Sequence, residues 1–530
     1  MPKNVNQTFF KTAGGINNDS GNSLDINCKR IFVTGSLAGP TAADFRGNII
    51  NTYNQTSNQT DIFVAGLDHC GKQKFFLHSG GAQGQSQGSY IVSTCDDSFL
   101  TGQVFGATAI DFAGNQITVN GGSEGIFVAG VDNCGHQKFY VTAGNNNLGN
   151  GGTQIVTDDH RLFITGIVNG GSINDFKNVP HTLSGRFDIF VAGLDKRGHQ
   201  KFFVTAGGSS FDAGASIAVT EKTLFITGFI GSPSSDFNKT VITTYGLFDA
   251  FVAGLDKCGN QKFFVHAGGV GFGSIGASID TDCQNAYVTG IIGGTATDFA
   301  GNSIPTTLAG IQSIFVAGLN PEGHQKFFVT ADIFNTNNLS NDITVNDQGV
   351  FITGQLGGNS GTDFNGCSFN LHGGSDIFVA GLTKCGKQKF FKTAGGQFGD
   401  RGNSITSDDE GIFVTGFISG QTATDFCGHL INLQGGNDIF VAKLNFCGHQ
   451  QFFRTAGSSS DDQGNQVVVR DNKVYLTGVV SGLTGTDFRG CPIKHLHGST
   501  DIFVACLDDL CGEYRSKRTT MTNFPRRRRA

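Results

Sequence analysis

An all-β fold, a closed ring of eight four-stranded blades, is predicted by three features of the sequence. One period explains nearly the whole chain, the conserved-looking segments within it are strand-like, and the two ends of the chain are out of phase with the period. The first feature is the segment Phe-Val-Ala, whose Phe falls at Phe63, Phe127, Phe190, Phe251, Phe315, Phe378, Phe440 and Phe503, at intervals of 61 to 64 residues. Self-similarity at a fixed period marks a repeat architecture. Three further segments keep the same period. An aromatic residue, an aliphatic one and Thr-Gly end at Gly35, Gly102, Gly166, Gly228, Gly290, Gly354, Gly416 and Gly478. Asp-Phe recurs at Phe45, Phe112, Phe176, Phe237, Phe299, Phe364, Phe426 and Phe488, and an aromatic pair runs from Phe9-Phe10 to Phe452-Phe453.

Each segment reads as strand or turn. Asp-Ile-Phe-Val-Ala-Gly-Leu and Gln-Lys-Phe-Phe-Val-Thr-Ala are short, rich in β-branched and aromatic residues, and bounded by Gly and Asn, which is how strands read in sequence. Between them a glycine recurs at Gly71, Gly135, Gly198, Gly259, Gly323, Gly386, Gly448 and Gly512, where a tight hairpin turn needs a residue at positive φ. Residues 215–228 hold two more strands around a polar turn. In this copy the expected strands are A (217–220), B (224–228), C (249–255) and D (261–266). Four strands per unit, eight times, without helical periodicity, give a β-propeller.

The phase of the ends predicts how the ring closes. The chain opens on a D strand, Thr8-Phe9-Phe10-Lys11-Thr12, and its last regular strand is a C, Asp501-Ile502-Phe503-Val504-Ala505. Residues 7–13 are therefore expected to supply the outer strand of the last blade and cover its open edge. The domain reading is a propeller over residues 1–512 with a period of about 63 residues, followed by a basic, disordered tail over 513–530.

Units such as Gly402 to Gly416, followed by Asp438 to Leu444 and an aromatic strand ending Thr455-Ala-Gly457, resemble the SBBP-type β-propeller repeat family. The resemblance spans about residues 7–512. It implies a propeller with extracellular or surface roles in many members, and it supplies no catalytic residues. Phe stands where many such repeats carry Trp, and a Cys often precedes the turn glycine.

Composition narrows the function. Glycine numbers 79 and proline 8, a pairing that excludes collagen, while 49 Phe with no Trp provide a large core. The net charge is −6, yet from Glu513 onward seven positive residues face one negative, so an acidic body ends in a basic tail. Arg526, Arg527, Arg528 and Arg529 are the candidates for contact with nucleic acid or an anionic surface. Neither an apolar stretch long enough to span a bilayer nor the apolar core of a signal peptide is present.

Thirteen cysteines include six in one turn slot, Cys70, Cys134, Cys258, Cys385, Cys447 and Cys511, where symmetry separates equivalent sulfurs by about 10 Å or more. Reduced thiols, intracellular synthesis and incorporation into a particle or virion are the expectation. The chemically uneven region is the B–C link of the last three blades, with Cys367 and His372, Cys427 and His429, and Cys491, His495 and His497, which are the metal candidates if neighbouring links meet. Asp19, Asp212, Asp400 and Asp462 in the D–A crossovers suit local Asx-type turns better than calcium. Near-equivalent blades are poorly suited to a single active centre, so no catalytic residue and no cofactor are assigned. The expected function is a non-enzymatic scaffold for protein–protein or protein–glycan interaction. A structural component of a particle or surface layer is the alternative, and a propeller hydrolase or lyase comes third.

Overall fold

The computed structural model describes residues 5–508 except 55, 82–83, 121, 272, 305–311 and 334–336. The tail with Arg526 to Arg529, and Cys511-Gly512, lie outside the described residues. The chain forms eight antiparallel blades in a ring. In the first, strands A to D are Ser20–Ile26, Ile31–Ala38, Thr60–Leu67 and Gln73–Ser79, hydrogen-bonded in that order. In the last, A, B and C are Gln463–Arg470, Lys473–Gly482 and Gly498–Asp508, and the fourth strand is Asn6–Ala13 from the other end of the chain. That closing pair carries a bulge between Gln7 and Phe9, in the slot where the C–D pair of blade 1 shifts register between Gly66 and Leu67.

The core follows the ring. It divides into eight apolar clusters, each at the interface of two neighbouring blades, the seam between blades 8 and 1 included. The aromatic pair of strand D splits its work. Its second ring stacks on the Phe of Phe-Val-Ala in its own blade, as Phe10 on Phe503 at 5.2 Å and Phe264 on Phe251 at 5.1 Å. Its first ring reaches the next blade and lies under the C–D turn glycine. A Cβ on Gly71 would sit 2.6 Å from the Phe9 ring, and Gly71 has φ of 78°, so space and backbone both demand glycine there. Burying each such ring is worth about 2 kcal/mol.

Near the axis the constraint is tighter. The Thr of each Thr-Gly donates its hydroxyl to the carbonyl of the strand C Phe, as Thr34 to Phe63 at 2.7 Å and Thr477 to Phe503 at 2.8 Å, in all eight blades. Strand A of the following blade presses against that hydroxyl. Gly88 faces Thr34 and Gly21 faces Thr477, with no room for a Cβ. Blade 6 has Ser340 in this slot, and its hydroxyl bonds Thr289 at 2.6 Å.

Two features differ from the sequence expectation. Strand A of blade 4 begins at Ala213, because a bulge between Gly214 and Ser216 keeps the glycine in the ladder. Strand D of the same blade runs to Val270 rather than 266, because its end pairs with the B–C link of the next blade, Gly268 opposite Thr297. The link is itself a small hairpin, Thr41–Ala43 against Ile49–Asn51 in blade 1. Its Asp-Phe is held by the glutamine that begins strand D. The Gln73 amide donates to Asp44 at 2.8 Å, and its carbonyl accepts from the Phe45 N–H at 2.9 Å. Gln7 repeats this on Asp487 and Phe488 across the closure.

Replacing Gly88 by Ala should cost about 1–3 kcal/mol, because the new methyl must displace the Thr34 hydroxyl. Gly171, which has open space around it, should accept Ala within about 0.5 kcal/mol. Thermal melts of the two variants check this, and equal behaviour would contradict the axial packing.

Candidate functional site

The central channel is where a ring of this kind concentrates side chains. Strands A of all eight blades line a cavity of about 460 Å³. Its polar lining includes Asp25, Asp280, Asp342, Tyr90, Gln154 and Gln466. Strand A is an inner edge strand, so its outward N–H groups need partners, and the lining supplies them. Gln466 accepts from the Leu24 N–H at 2.7 Å, Gln154 from Ile217 at 2.7 Å, and Asp342 from Ile405 at 2.9 Å, each one blade onward. Asp25 holds the Ser93 N–H at 2.6 Å, and Asp280 holds that of Val345 at 2.8 Å. The bulged residue adds a bond in the same sense, as Asn22 to the Gly88 carbonyl and Asn465 to that of Gly21. Burial pushes Asp280 and Asp342 up to about 6. These carboxylates act first as inter-blade clamps.

A second set of acids lies in the D–A crossovers. Asp19, Asp212, Asp400 and Asp462 do not form the local turns expected of them. Asp19 accepts from the Gly15 N–H at 2.6 Å, four residues before it, and from Ala38 at 2.7 Å, at the far end of strand B. Asp400 does the same with Gly396 and Ser419. Each faces the acid that opens the neighbouring strand C. A Cβ on Gly395 would lie 2.6 Å from both Asp376 Oδ1 and Asp400 Oδ2, and a Cβ on Gly14 or Gly457 would likewise come within 2.7 Å of Asp501 and Asp19 or of Asp438 and Asp462. All six are buried. Burial, with the second carboxylate beside it, pushes Asp19, Asp400 and Asp438 up to about 7, and burial with the neighbouring Asp461 does the same for Asp462. The pairing escapes sequence reading because the partners are distant in the chain, 24 residues apart in Asp438/Asp462 and Asp376/Asp400 and at opposite ends in Asp19/Asp501.

The metal candidates are not drawn together across blades. Each link's histidine is taken by an aspartate of its own link or strand. His372 bonds Asp376 at 3.1 Å, His429 bonds Asp425 at 3.2 Å, and His497 bonds Asp501 at 3.2 Å. Among the described residues, no group of three potential ligands joins two links. Asp425, Cys427 and His429 do gather, with ligand atoms within 4.8 Å of one another, but all come from one link. Asp425 is already engaged with two backbone amides and Gln450. Cys367 and Cys491 lie exposed at the same turn in their links, and His495 is exposed at φ of 62°. The described cysteines are unbridged, Cys506 buried and the others exposed.

No family model matches the chain, and no curated protein matches it. Among solved structures, the chain is similar to the Bacillus licheniformis rhamnogalacturonan lyase PL11 at 9% identity over 93% of this chain and 90% of that one, with a TM-score of 0.28. The rhamnogalacturonan lyase YesW matches at 9% identity over 92% and 90%, TM-score 0.25. PorZ, a surface component of the type-IX secretion system of Porphyromonas gingivalis, matches at 10% identity over 92% and 82%, TM-score 0.21. At identities and scores this low, the likeness bears on neither substrate nor activity.

The acid pairs fix a pH dependence. A carboxyl whose folded pKa is about 7, against an unfolded value near 4, binds its proton more tightly in the folded ring. The folded state therefore gains stability as pH falls from about 8 through 7 toward 5, and loses it again on return. Melting temperature measured across that range should rise on acidification, and Asp462→Asn should flatten the rise. A melting temperature that falls over the same interval would rule the pairs out as its main titrating groups.

Proposed function

We propose that the protein is a non-enzymatic scaffold that presents the polar loops of a rigid ring to a protein or glycan partner. One observation carries this reading. The channel side chains that could serve chemistry, Asp25, Asp280, Asp342, Gln154 and Gln466, are spent on backbone amides of the next blade. What the ring leaves free for recognition is its outer turns and links, whose exposed residues are polar and charged, among them His136, Glu221, Glu322 and Asn472. Rigid scaffolds that display loops are a general arrangement for binding.

The reading separates structure from recognition. Asp342→Ala leaves the buried Ile405 and Ser278 donors without their acceptor and should cost about 1–3 kcal/mol of stability. Retention of partner by the variant, in a glycan array and in pull-down with purified ring, should match that of the parent chain below its melting temperature. Turnover of any substrate that Asp342→Ala abolishes without unfolding the ring would overturn the proposal. Recovery of the protein in fixed stoichiometry with a particle would favour the building-block alternative.

A further inference from the structure

The seam between blades 8 and 1 carries a cavity of about 520 Å³ with a strongly basic lining. It is bordered by Lys11 from the closing strand, Arg46 from the link of blade 1, Lys72 from the C–D turn of blade 1, and Arg489, Lys494 and His495 from the link of blade 8. Asp487 is the single acid in its lining. That carboxylate is already held by Gln7 at 2.7 Å and by Arg489 at 2.9 Å. Arg46 donates to the Gln73 carbonyl. Lys11, Lys72 and Lys494 are exposed and, among the described residues, make no ion pair with a carboxylate. Phe10 and Phe45 form its apolar floor.

The repeat itself shows that this concentration is not a structural requirement. The slot of Lys11 holds Leu77, Val141, Val204, Val265 and Val329 in the next five D strands and Lys392 and Arg454 in the last two, and the slot of Arg46 holds Ala113, Lys177, Asn238, Ala300, Asn365, Cys427 and Arg489 in the other links. Lys72 corresponds to His136, His199, Asn260, His324, Lys387 and His449. At each other seam the corresponding slots hold two lysines or arginines at most. Gathering several ammonium and guanidinium groups around one concavity, in a chain of net charge −6, costs mutual repulsion that a bound anion relieves. A concave site of several hundred cubic ångströms suits a small molecule rather than a duplex.

We propose that this seam cavity is a binding site for a compact oxyanion carrying two or more phosphate or sulfate groups, held by Lys11, Lys72 and Lys494 with Arg46 and Arg489 as fixed partners. Phosphate and sulfate share the tetrahedral, multiply charged oxygen array that such a cluster recognises. The proposal does not depend on the scaffold reading, since a ligand site is compatible with either function.

Inorganic tripolyphosphate is the probe. Titration calorimetry of the full chain at about 0.15 M salt should give saturable one-to-one binding that weakens as salt is raised. The triple variant Lys11→Gln, Lys72→Gln, Lys494→Gln should weaken it by at least about tenfold, with an unchanged melting temperature. Changing Arg526 to Arg529 to Gln should leave binding intact, which separates the cavity from the basic tail. Displacement by a sulfated disaccharide would support a site for both anions, and displacement by pyrophosphate alone would support a phosphate site. No saturable binding, equal affinity in the triple variant, or loss of binding on neutralising the tail would each overturn the assignment. Should the triple variant unfold, Lys494→Gln alone, on an exposed link, decides the question by the same comparison.

Discussion

The close approach of neighbouring blades at the axis is the constraint from which the remainder follows. Each strand B threonine turns its hydroxyl onto the strand C Phe carbonyl, and the next blade's strand A must pass over that hydroxyl without a side chain. Glycine is therefore fixed at the inner strand seven times, and the eighth copy solves the contact with a serine that joins the hydrogen bond. Once the inner strands are this close, their bulged residues and lining side chains reach the following blade's backbone. The inner edge is then satisfied by side chains rather than by another strand. The outer edge is satisfied differently, by the link hairpin of the next blade pairing with the end of strand D. The two devices act at opposite radii, and the apolar clusters fill the space between them.

Much of this was legible in the sequence because the information repeats. Eight copies of an aromatic pair, a turn glycine and Asp-Phe state the blade count, and a chain that starts on D and ends on C states how the ring closes. What escaped reading were contacts between segments distant in sequence whose residue types are common. The glutamine at the head of strand D stands in every copy, yet nothing local says that it clasps Asp-Phe some 25 residues earlier. The buried acid pairs were half visible. Their crossover members were noticed, but a turn explained them locally, and their partners on strand C looked like strand ends. The metal candidates of neighbouring links are not brought together for a related reason, since His372, His429 and His497 each find an aspartate four residues away in their own link or strand.

Repetition also explains why function is harder to read than fold. A feature present in every blade answers to the ring, so chemistry must be sought where the copies diverge. One such divergence, in charge, lies beside the closing strand. There the closing strand brings Lys11, in a slot that is aliphatic in five D strands and basic at Lys392 and Arg454, against two links that both carry arginine after Asp-Phe. The closing strand is held within blade 8 by the same latch, the same stacking and the same bulge as the other D strands, so the unusual charge beside it is an addition to the structure and not a condition of it.

The central claim is that the first strand is an integral member of the last blade, bound as tightly as any other strand D. Native-state hydrogen exchange on the full chain measures this directly. Amides of residues 6–13 should be protected to the same degree as those of Gln200–Ala206 and should open with them in one cooperative unit. Exchange of residues 6–13 at the rate of an unstructured segment, while Gln200–Ala206 remains protected, would contradict a ring closed by its own N-terminal strand.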